Sequence, residues 1–308
     1  MTAAPRPAAI VLGTRASALA RTQTDLVAAA LAEAWPRLAC EIRVLDTAGD
    51  RTQASGEPLP EIGGKGLFTE ELERALRAGE IDVAVHSLKD LPTEDAGGVV
   101  IGAVTAREDP RDCVVGAALS ELPPGAVIGT SSLRRAAQLL ALRPDLDVRS
   151  IRGNVDTRVR KVREGEYDAT ILAAAGIRRL GLEDAVAEWL PEDVMLPAPG
   201  QGALALQCRA DGPELELVAA IDDAATRAEV TAERAFLRTL GAGCAAPVAA
   251  LGVGTTTPRV RLQALVASVD GRDVVRVQGE GTSAEIGERL ASDARALGAD
   301  RILAAIRG

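Results

Sequence analysis

Two stretches of the sequence decide the fold: 10-IVLGTRASALARTQ-23 and 126-AVIGTSSLRRAAQ-138. Each is a short apolar run followed by Gly-Thr and then by a pattern typical of a helix. A second pair, 78-AGEIDVAV-85 and 164-EGEYDATI-171, joins a helix-stopping glycine to another apolar run. This alternation favours a mostly parallel sheet with helices on its faces. We predict two α/β lobes related by a weak internal repeat, although such glycines and aspartates also recur in unrelated α/β proteins.

The pattern changes from about residue 229 onwards. A helical segment leads into a glycine-alanine loop, two alternating apolar runs follow, and a final helix is predicted over 283–297. Strands and helices that are segregated in this way indicate a small α+β domain. The predicted fold class is therefore α/β, with two lobes and a small α+β domain at the carboxyl end.

Composition excludes several classes of function. The chain has 308 residues, a net charge of −9 and only 2% aromatic residues. Nucleic acids and acidic membranes need a large basic face, and single strands need stacking platforms, so neither partner is expected. We find no run of about 18 apolar residues and no secretory signal. The expected location is cytoplasmic.

The cysteines and the histidine argue against a metal site. Four cysteines have neither disulfide-framework nor paired CxxC spacing, and His86 is the only histidine. One of these cysteines, Cys244, lies in the bare stretch 240-LGAGCAAPVA-249. Small neighbours leave its sulfur open to a bulky group, but a lone cysteine can equally fill a small gap in a core.

A basic cluster stands out in this acidic chain. Residues 130–163 hold nine basic and three acidic side chains. Arg134 and Arg135 follow the candidate helix caps Ser131 and Ser132, where a cation opposes the helix dipole and an anionic ligand would relieve the conflict. Arg15 stands just before Ser17 at the matching place in the first lobe. Both helix starts resemble carboxylate or phosphate sites, and the alternative is a solvated basic face.

A polar segment, 86-HSLKDLP-92, follows directly on an apolar strand. Active sites of parallel sheets lie at this end of the strands. Asp90 is the candidate acid or hydrogen-bond acceptor and Lys89 a candidate anion partner, whereas a structural aspartate before a turn is the alternative. His86 is either catalytic or simply hydrogen-bonded in place. The 63-GGKG-66 loop lacks the spacing of a phosphate-binding P-loop.

Taken together, these segments closely resemble the porphobilinogen deaminase, or hydroxymethylbilane synthase, family. The similarity covers residues from about 10 to 250. The strings that carry it are GTRASALA, GGKGLFTEELE, DVAVHSLKDLPTE, REDPRD, GTSSLRRAAQL, IRGNVDTR, GEYDATILAAAGIRRLG, LPAPGQGAL and the GxGCxxPV loop.

The resemblance implies an enzyme with two lobes like those of periplasmic binding proteins. Domain 1 would span 1–105 with 200–222, domain 2 would span 106–199, and domain 3 would span 223–308. Cys244 would carry a dipyrromethane cofactor through a thioether. Four porphobilinogen molecules would be joined head to tail with loss of ammonia, and hydrolysis would release the linear tetrapyrrole. A monomer is expected.

The resemblance also implies roles for individual residues. Asp90 would be catalytic, would contact the cofactor, and would stabilise the cation formed as ammonia leaves. Carboxylates of the cofactor and substrate would be bound by a set of polar and basic side chains. These are Lys89, Ser132, Arg134 and Arg135 for the cofactor, and Arg15, Ser17, Arg149, Arg152, Arg158 and Arg179 for the substrate.

Two positions depart from the usual pattern of this family. Ala18 stands where a proline is usual, and the residues before Cys244 read Gly-Ala-Gly where many relatives have an acidic residue followed by two glycines. Neither change removes a proposed catalytic group. The competing interpretation of the chain is a two-lobed anion-binding module without catalysis, which would explain the lobes and the arginines but not Asp90 or the thiol.

Overall fold

The computed structural model describes residues 8–47, 69–94, 96–243, 245–256 and 259–307. The chain divides into two compact units, Met1–Arg107 with Ala203–Arg227, and Glu108–Gly202 with Ala228–Gly308. In the described part of the chain, the first unit holds one β-sheet and the second unit holds two. The finer division into three domains stays a prediction.

The secondary structure follows the predicted alternation of strands and helices. The strands are β1 (Ala9–Arg15), β2 (Ala39–Leu45), β3 (Val83–Ser87), β4 (Val99–Val104), β5 (Asp112–Gly116), β6 (Val127–Gly129), β7 (Asp147–Arg149), β8 (Ala169–Ala173), β9 (Val186–Trp189), β10 (Leu204–Arg209), β11 (Val248–Thr256), β12 (Arg259–Ala267) and β13 (Val274–Thr282). The helices are α1 (Ala18–Ala34), α2 (Glu70–Arg77), α3 (Leu133–Leu142), α4 (Val155–Arg163), α5 (Ala174–Arg179), α6 (Glu214–Val218), α7 (Ala224–Thr239), α8 (Ser283–Ala296) and α9 (Ala299–Arg307). Short 3-10 turns cover Leu88–Asp90, Glu183–Ala185 and Ala219–Ile221.

The two five-stranded sheets have the same strand order, which supports the internal repeat. The sheet of the first lobe runs β2-β1-β3-β10-β4, and that of the second lobe runs β7-β6-β8-β5-β9. In each sheet the first three strands are parallel and the fourth is antiparallel to its neighbours. The antiparallel strand of the first lobe, β10, comes from chain that returns after the whole second sheet has been formed. The predicted fold class is confirmed.

The quoted Gly-Thr pairs have a packing reason. A Cβ at Gly13 would collide with the side chain of Ile81, and a Cβ at Gly129 would lie 3.0 Å from Tyr167 Cδ1 and from Ile151 Cβ. Ile81 and Tyr167 occupy the same place in the two repeated strings, just before the aspartate. Glycine therefore lets the residue that leads into the next strand pack against the strand that precedes the helix.

The aspartates of the repeat tie neighbouring strands together. Asp82 Oδ2 accepts a hydrogen bond from Val11 N at 2.9 Å, and Asp168 Oδ2 accepts one from Val127 N at 2.7 Å. The peptide N–H of each aspartate returns a bond to the carbonyl of the same valine. These carboxylates satisfy strand ends that would otherwise lack a partner. The alternative explanation, that the repeated residues are unrelated turn signals, is wrong at these positions.

The third sheet is an antiparallel meander in the order β11-β12-β13. Its core centres on Phe236 of α7, packed with strand residues such as Leu262 and with Ile286 and Leu290 of α8. The helix predicted over 283–297 is confirmed as α8, but it is not the final helix, because Gly298, with φ of 101°, separates it from α9. The small α+β domain itself is as predicted.

Candidate functional site

Two strand ends of the first lobe meet at one edge of its sheet. β1 and β3 are parallel neighbours, with Leu12 opposite Val83. Arg15 ends β1, and Ser17 caps α1 by accepting a hydrogen bond from Ala20 N at 3.3 Å. At the end of β3 lie four further polar residues, of which Lys89 and Asp90 belong to the 3-10 turn. The structure thus brings together Arg15, Ser17, Lys89 and Asp90 within one lobe.

The turn that carries Asp90 is held on both sides. Leu88 is fully buried, and its N–H donates to the carbonyl of Ala203 at 3.0 Å. Ser87 Oγ accepts from Gln23 Nε2 of α1 at 2.9 Å. Asp90 itself is exposed. A fixed backbone therefore presents a solvent-accessible carboxylate, which is the arrangement that a group acting on a ligand needs.

His86 lies beneath this edge and is only 5% exposed. Burial lowers the pKa of His86 to about 4, and the positive charge of Arg15 adds to this effect. Gln207 opposes the shift, but no atom of the described residues reaches His86 Nε2 at hydrogen-bonding geometry. The imidazole is therefore neutral at physiological pH. It supports the strand that leads to Asp90, rather than facing solvent as an acid or base.

The second lobe corrects one expectation about the arginine pair. Of the two predicted caps, Ser132 caps α3, and its Oγ accepts from Arg135 N at 3.5 Å, whereas Ser131 Oγ donates to the carbonyl of Ile151 at 2.7 Å. The side chains of Arg134 and Arg135 are buried, however, and their guanidinium groups both bind Asp112. The Arg134 Nη1–Asp112 Oδ2 and Arg135 Nη2–Asp112 Oδ1 distances are both 2.8 Å. The anion that meets the pair here belongs to the chain itself.

Sequence reasoning missed Asp112, although it begins a buried strand. Burial alone would raise the pKa of its carboxyl, but the adjacent Arg134 and Arg135 hold that pKa well below its usual range. Asp112 is therefore ionised at neutral pH. The signal that could have revealed it is its position in the REDPRD string, directly before the apolar run CVV.

Further positive charge remains after Asp112 is counted. Arg158 Nε donates to the carbonyl of Gly153 at 2.8 Å, and burial together with the charges of Arg135 and Arg152 lowers the pKa of Arg158 to about 10. Arg135 Nε is buried without a hydrogen-bond partner. No carboxylate of the described residues forms an ion pair with Arg152. Asp112 thus pairs with Arg134 and Arg135, while Arg158 lies within electrostatic range of Arg135 and Arg152, an arrangement suited to an anionic ligand.

Other members of the basic cluster form surface ion pairs. Their partners lie within a few residues in most cases, and the side chains are partly or largely exposed. The pairs are Arg143 with Asp145, Arg149 with Asp147, Arg160 with Glu164, Lys161 with Glu166 and Arg163 with Asp184. For these residues the solvated basic face describes the structure, and Asp147 already accepts from Nε and Nη2 of Arg149.

Arg179 occupies a different environment in the second unit. Its Nη2 donates to the carbonyl of Gly202 at 2.7 Å, and burial lowers its pKa while Glu108 counteracts the shift. Arg179 thus contacts the chain where it leaves the second lobe. Its role toward substrate stays a prediction.

The cofactor cysteine of the resemblance, Cys244, lies outside the described residues, as does the GGKG loop. The residues on either side, Gly243 and Ala245, are exposed, and a Cβ at Gly243 would meet no atom within 4 Å. The described cysteines differ from this setting. Burial raises the pKa of Cys40, and it raises the pKa of Cys113 and Cys208 to about 12, so these three thiols are poor nucleophiles.

The described residues contain no group of three or more potential metal ligands. No helix among them has both the length and the apolar character needed to cross a membrane.

Comparisons with known proteins decide the family. A family model described as the dipyromethane cofactor binding domain of porphobilinogen deaminase matches residues 10–216, and one for the C-terminal domain of the same enzyme matches 227–296. The chain belongs to the porphobilinogen deaminase family. The porphobilinogen deaminase of Acidothermus cellulolyticus is 49% identical over 99% of this chain and 94% of its own length. That of Thermus thermophilus is 48% identical over 97% and 99%.

The family predicted from the sequence is confirmed, and so are the transferase class and the dipyrromethane cofactor domain. Among solved structures, the methionine-binding protein MetQ is similar at a TM-score of 0.44 and 12% identity, covering 70% of this chain and 89% of its own. The OxyR2 regulatory domain of Vibrio vulnificus is similar at a TM-score of 0.41 and 18% identity, covering 71% and 98%.

Proposed function

We propose that this member of the porphobilinogen deaminase family joins four porphobilinogen molecules head to tail with loss of ammonia. A dipyrromethane cofactor on Cys244 would anchor the chain of rings, and hydrolysis would release hydroxymethylbilane. The observation that carries the proposal within this structure is the cation cluster of the second lobe. This cluster consists of Arg134, Arg135, Arg152 and Arg158, and it has more positive charge than Asp112 offsets.

The chemistry of the ligand matches this cluster. Each pyrrole of porphobilinogen and of the cofactor carries an acetate and a propionate, so negative charge accumulates with every ring added. Arginine binds carboxylates through charge-assisted hydrogen bonds and is not deprotonated at neutral pH. The unpartnered Arg135 Nε and the lowered pKa of Arg158 both indicate that a further anion would be favourable there.

The cofactor, when bound, supplies the pyrrole end to which the first substrate is joined. Cys244 would hold it through a thioether, and the exposure of Gly243 and Ala245 supports room for a bulky group. Ser132, Arg134, Arg135 and Lys89 are the proposed carboxylate and cofactor contacts. Arg134 and Ser132 would contribute to cofactor binding partly by fixing the position of the first turn of α3.

Asp90 is the proposed catalytic residue. Its exposed carboxylate would accept hydrogen bonds from pyrrole N–H groups and stabilise the cation that forms when ammonia leaves porphobilinogen. Arg15 and Ser17 lie at the same sheet edge as Lys89 and would bind substrate carboxylates there. Arg149, Arg152, Arg158 and Arg179 are the proposed substrate contacts of the second lobe.

The test is the intact mass of protein purified from cells, followed by incubation with porphobilinogen. Wild-type protein and the control Cys40→Ser should carry a surplus equal to two condensed pyrroles, and Cys244→Ser should not. The first two should release ammonia and give a uroporphyrin after oxidation. An unmodified wild-type protein that binds porphobilinogen without releasing ammonia would instead be the binding module without catalysis.

The remaining expectations are predictions of the same proposal. They are a monomer, a cytoplasmic location and the absence of nucleic-acid and membrane partners. Light scattering on the purified protein tests the first of them, since an oligomer would have a mass that is a multiple of 31.8 kDa.

A further inference from the structure

Asp112 lies at the centre of a buried polar network in the second unit. Besides the two arginines, Gln201 donates through Nε2 to Asp112 Oδ1 at 2.9 Å, and the same amide donates to the carbonyl of Pro110 at 2.7 Å. Both Asp112 and Gln201 have 0% exposed surface. The carboxylate is therefore held both by the arginines and by Gln201, in the loop that follows the second lobe.

The network continues from this loop to the third sheet. Gly200 N donates to Glu233 Oε2 at 2.6 Å, and Gly252 N of β11 donates to Glu233 Oε1 at 2.8 Å. Glu233 lies on α7 and has 0% exposed surface. Asp112 is thereby connected, through Gln201 and the adjacent Gly200, to the strand that follows the Cys244 loop.

The internal repeat shows that the sheet does not need a charge at this position. Asp112 lies opposite Ala173 of β8, and Leu204 lies opposite Ser87 of β3, so Asp112 and Leu204 are equivalent in the two lobes. Leu204 is 3% exposed and belongs to the apolar core of the first lobe. One lobe thus has a leucine where the other has an ionised carboxylate.

The arginines have apolar counterparts as well. Ser17 and Ser132 are the equivalent helix caps, and each accepts a bond from the N–H three residues later. Counted from these caps, Leu19 and Ala20 take the places of Arg134 and Arg135. Buried ion pairs are often no more stabilising than apolar residues of similar volume. Stability alone therefore does not explain why the second lobe has an ionic group where the first has apolar residues.

We propose that Asp112 is a positioning residue that holds the Arg134–Arg135 pair in place, so that the cation cluster is ready for ligand carboxylates before they arrive. Without a counter-charge, Arg134, Arg135, Arg152 and Arg158 would repel one another. The two contacts of Arg135, with Asp112 and with the Ile171 carbonyl at 2.9 Å, fix its guanidinium plane and leave Nε without a partner. This inference rests on the proposed function for the identity of the ligand.

The test uses a one-methylene change that keeps the charge. Asp112→Glu retains the carboxylate but displaces the arginines, whereas Asp112→Asn removes the charge and risks misfolding. The matched control is Glu214→Asp in the first unit, because Glu214 is also buried and lies 2.9 Å from an arginine, Arg209. All proteins are produced in cells that cannot make porphobilinogen, which is then added.

Two quantities are measured for each protein. One is the melting temperature before porphobilinogen is added, and the other is the rate at which the protein then gains the mass of two condensed pyrroles. Asp112→Glu should load about 10–100-fold more slowly than wild type, since a misplacement of about 1 Å has effects of this size. Glu214→Asp should load the cofactor at the wild-type rate even when its melting temperature falls as far as that of Asp112→Glu. Equal loading of Asp112→Glu and wild type would overturn the inference.

Loss of loading in both variants in proportion to their melting temperatures would also overturn it, because the role of Asp112 would then be structural. Failure of wild type to acquire any surplus contradicts the proposed function instead. A further variant, Gln201→Met, leaves both arginine contacts of Asp112 intact. It should slow loading less than Asp112→Glu does.

Discussion

The two lobes share one strand order but differ in the chemistry at equivalent places. Where the second lobe has Asp112, the first has the apolar Leu204. Conversely, β3 of the first lobe runs into the exposed turn with Asp90, whereas β8 of the second runs into the buried start of α5 at Ala174. The same scaffold therefore carries a presented carboxylate in one lobe and a buried cation cluster in the other. What the lobes share is required for folding, and what differs marks function.

The largest expected effect is on turnover, and it distinguishes the exposed carboxylate of Asp90 from the carboxylate of Asp168, which binds a strand N–H. Asp90→Asn should lower turnover about 1000-fold, within the range for a group that acts on charge in the reaction, while the cofactor is at least partly loaded. Asp168→Asn is the control, since Asp168 only accepts a strand hydrogen bond from Val127. That variant should lose stability but not turnover. Ammonia release per loaded molecule is the measurement, and full activity of Asp90→Asn would remove Asp90 from its role.

The next comparison lies within one helix. Arg158 and Arg160 are both on α4, but Arg158 adjoins the cation cluster and Arg160 pairs with Glu164 at the surface. Arg158→Met should raise KM or slow cofactor loading by about 10–100-fold, the equivalent of one charge-assisted hydrogen bond. Arg160→Met should change neither by more than about threefold, because exposed pairs contribute little. Equal effects in the two variants would show that the cluster has no special role.

The pH dependence of stability tests whether the buried imidazole of His86, in the strand that leads to Asp90, is neutral. The folded-state pKa of His86 is about 4 against an ordinary value of 6.5, so the unfolded chain binds more protons between these values. The free energy of unfolding should therefore fall as the pH is lowered from 6.5 towards 4. The decrease from pH 7 to pH 5 should be about 2 kcal/mol larger in wild type than in His86→Gln.

Fluorescence can assign this loss to one lobe. Trp35 lies in the first lobe and Trp189 in the second, and the sequence has two tryptophans. Urea unfolding is therefore followed in a Trp189→Phe background, with the Trp35→Phe background as the control. Parallel pH dependences in wild type and His86→Gln would contradict a neutral buried imidazole.

The smallest expected effect concerns the repeat itself. Gly79 and Gly165 end equivalent helices with φ of 69° and 80°, and a Cβ at either would meet open space. Gly79→Ala and Gly165→Ala should each lower the free energy of unfolding by about 1 kcal/mol, owing to backbone strain alone. The same tryptophan backgrounds report each lobe separately. Effects that differ by several-fold would show that the two helix ends are not equivalent.

The sequence was sufficient for the elements whose pattern is local. The start of α3 is predictable because serine before a helical run favours a cap, although the sequence does not distinguish Ser131 from Ser132. The antiparallel strands β5 and β10 were not found by pattern, since partners far apart in the chain complete them. The return of the chain to the first lobe came from the family resemblance instead.

The site was predictable only where a residue type stands out. Asp90 follows a strand directly, but nothing local to Asp112 shows that two arginines more than 20 residues away will bury it. The same limit explains why Arg149 and Arg158 looked alike in the sequence. Arg149 forms an ion pair with Asp147, two residues away, whereas Arg158 is buried beside other arginines.

The position of β10, late in the chain but inside the first sheet, has a consequence for biosynthesis. Among the described strands of the first sheet, β10 alone lies between β3 and β4, yet Leu204 emerges from the ribosome about 100 residues after Val104. The amino-terminal half of a nascent chain therefore cannot complete its own sheet. It must wait, with the edge of β3 uncovered, until the entire second sheet has been synthesised. An early stop codon beyond residue 110 would thus leave a fragment with an open edge rather than a finished lobe.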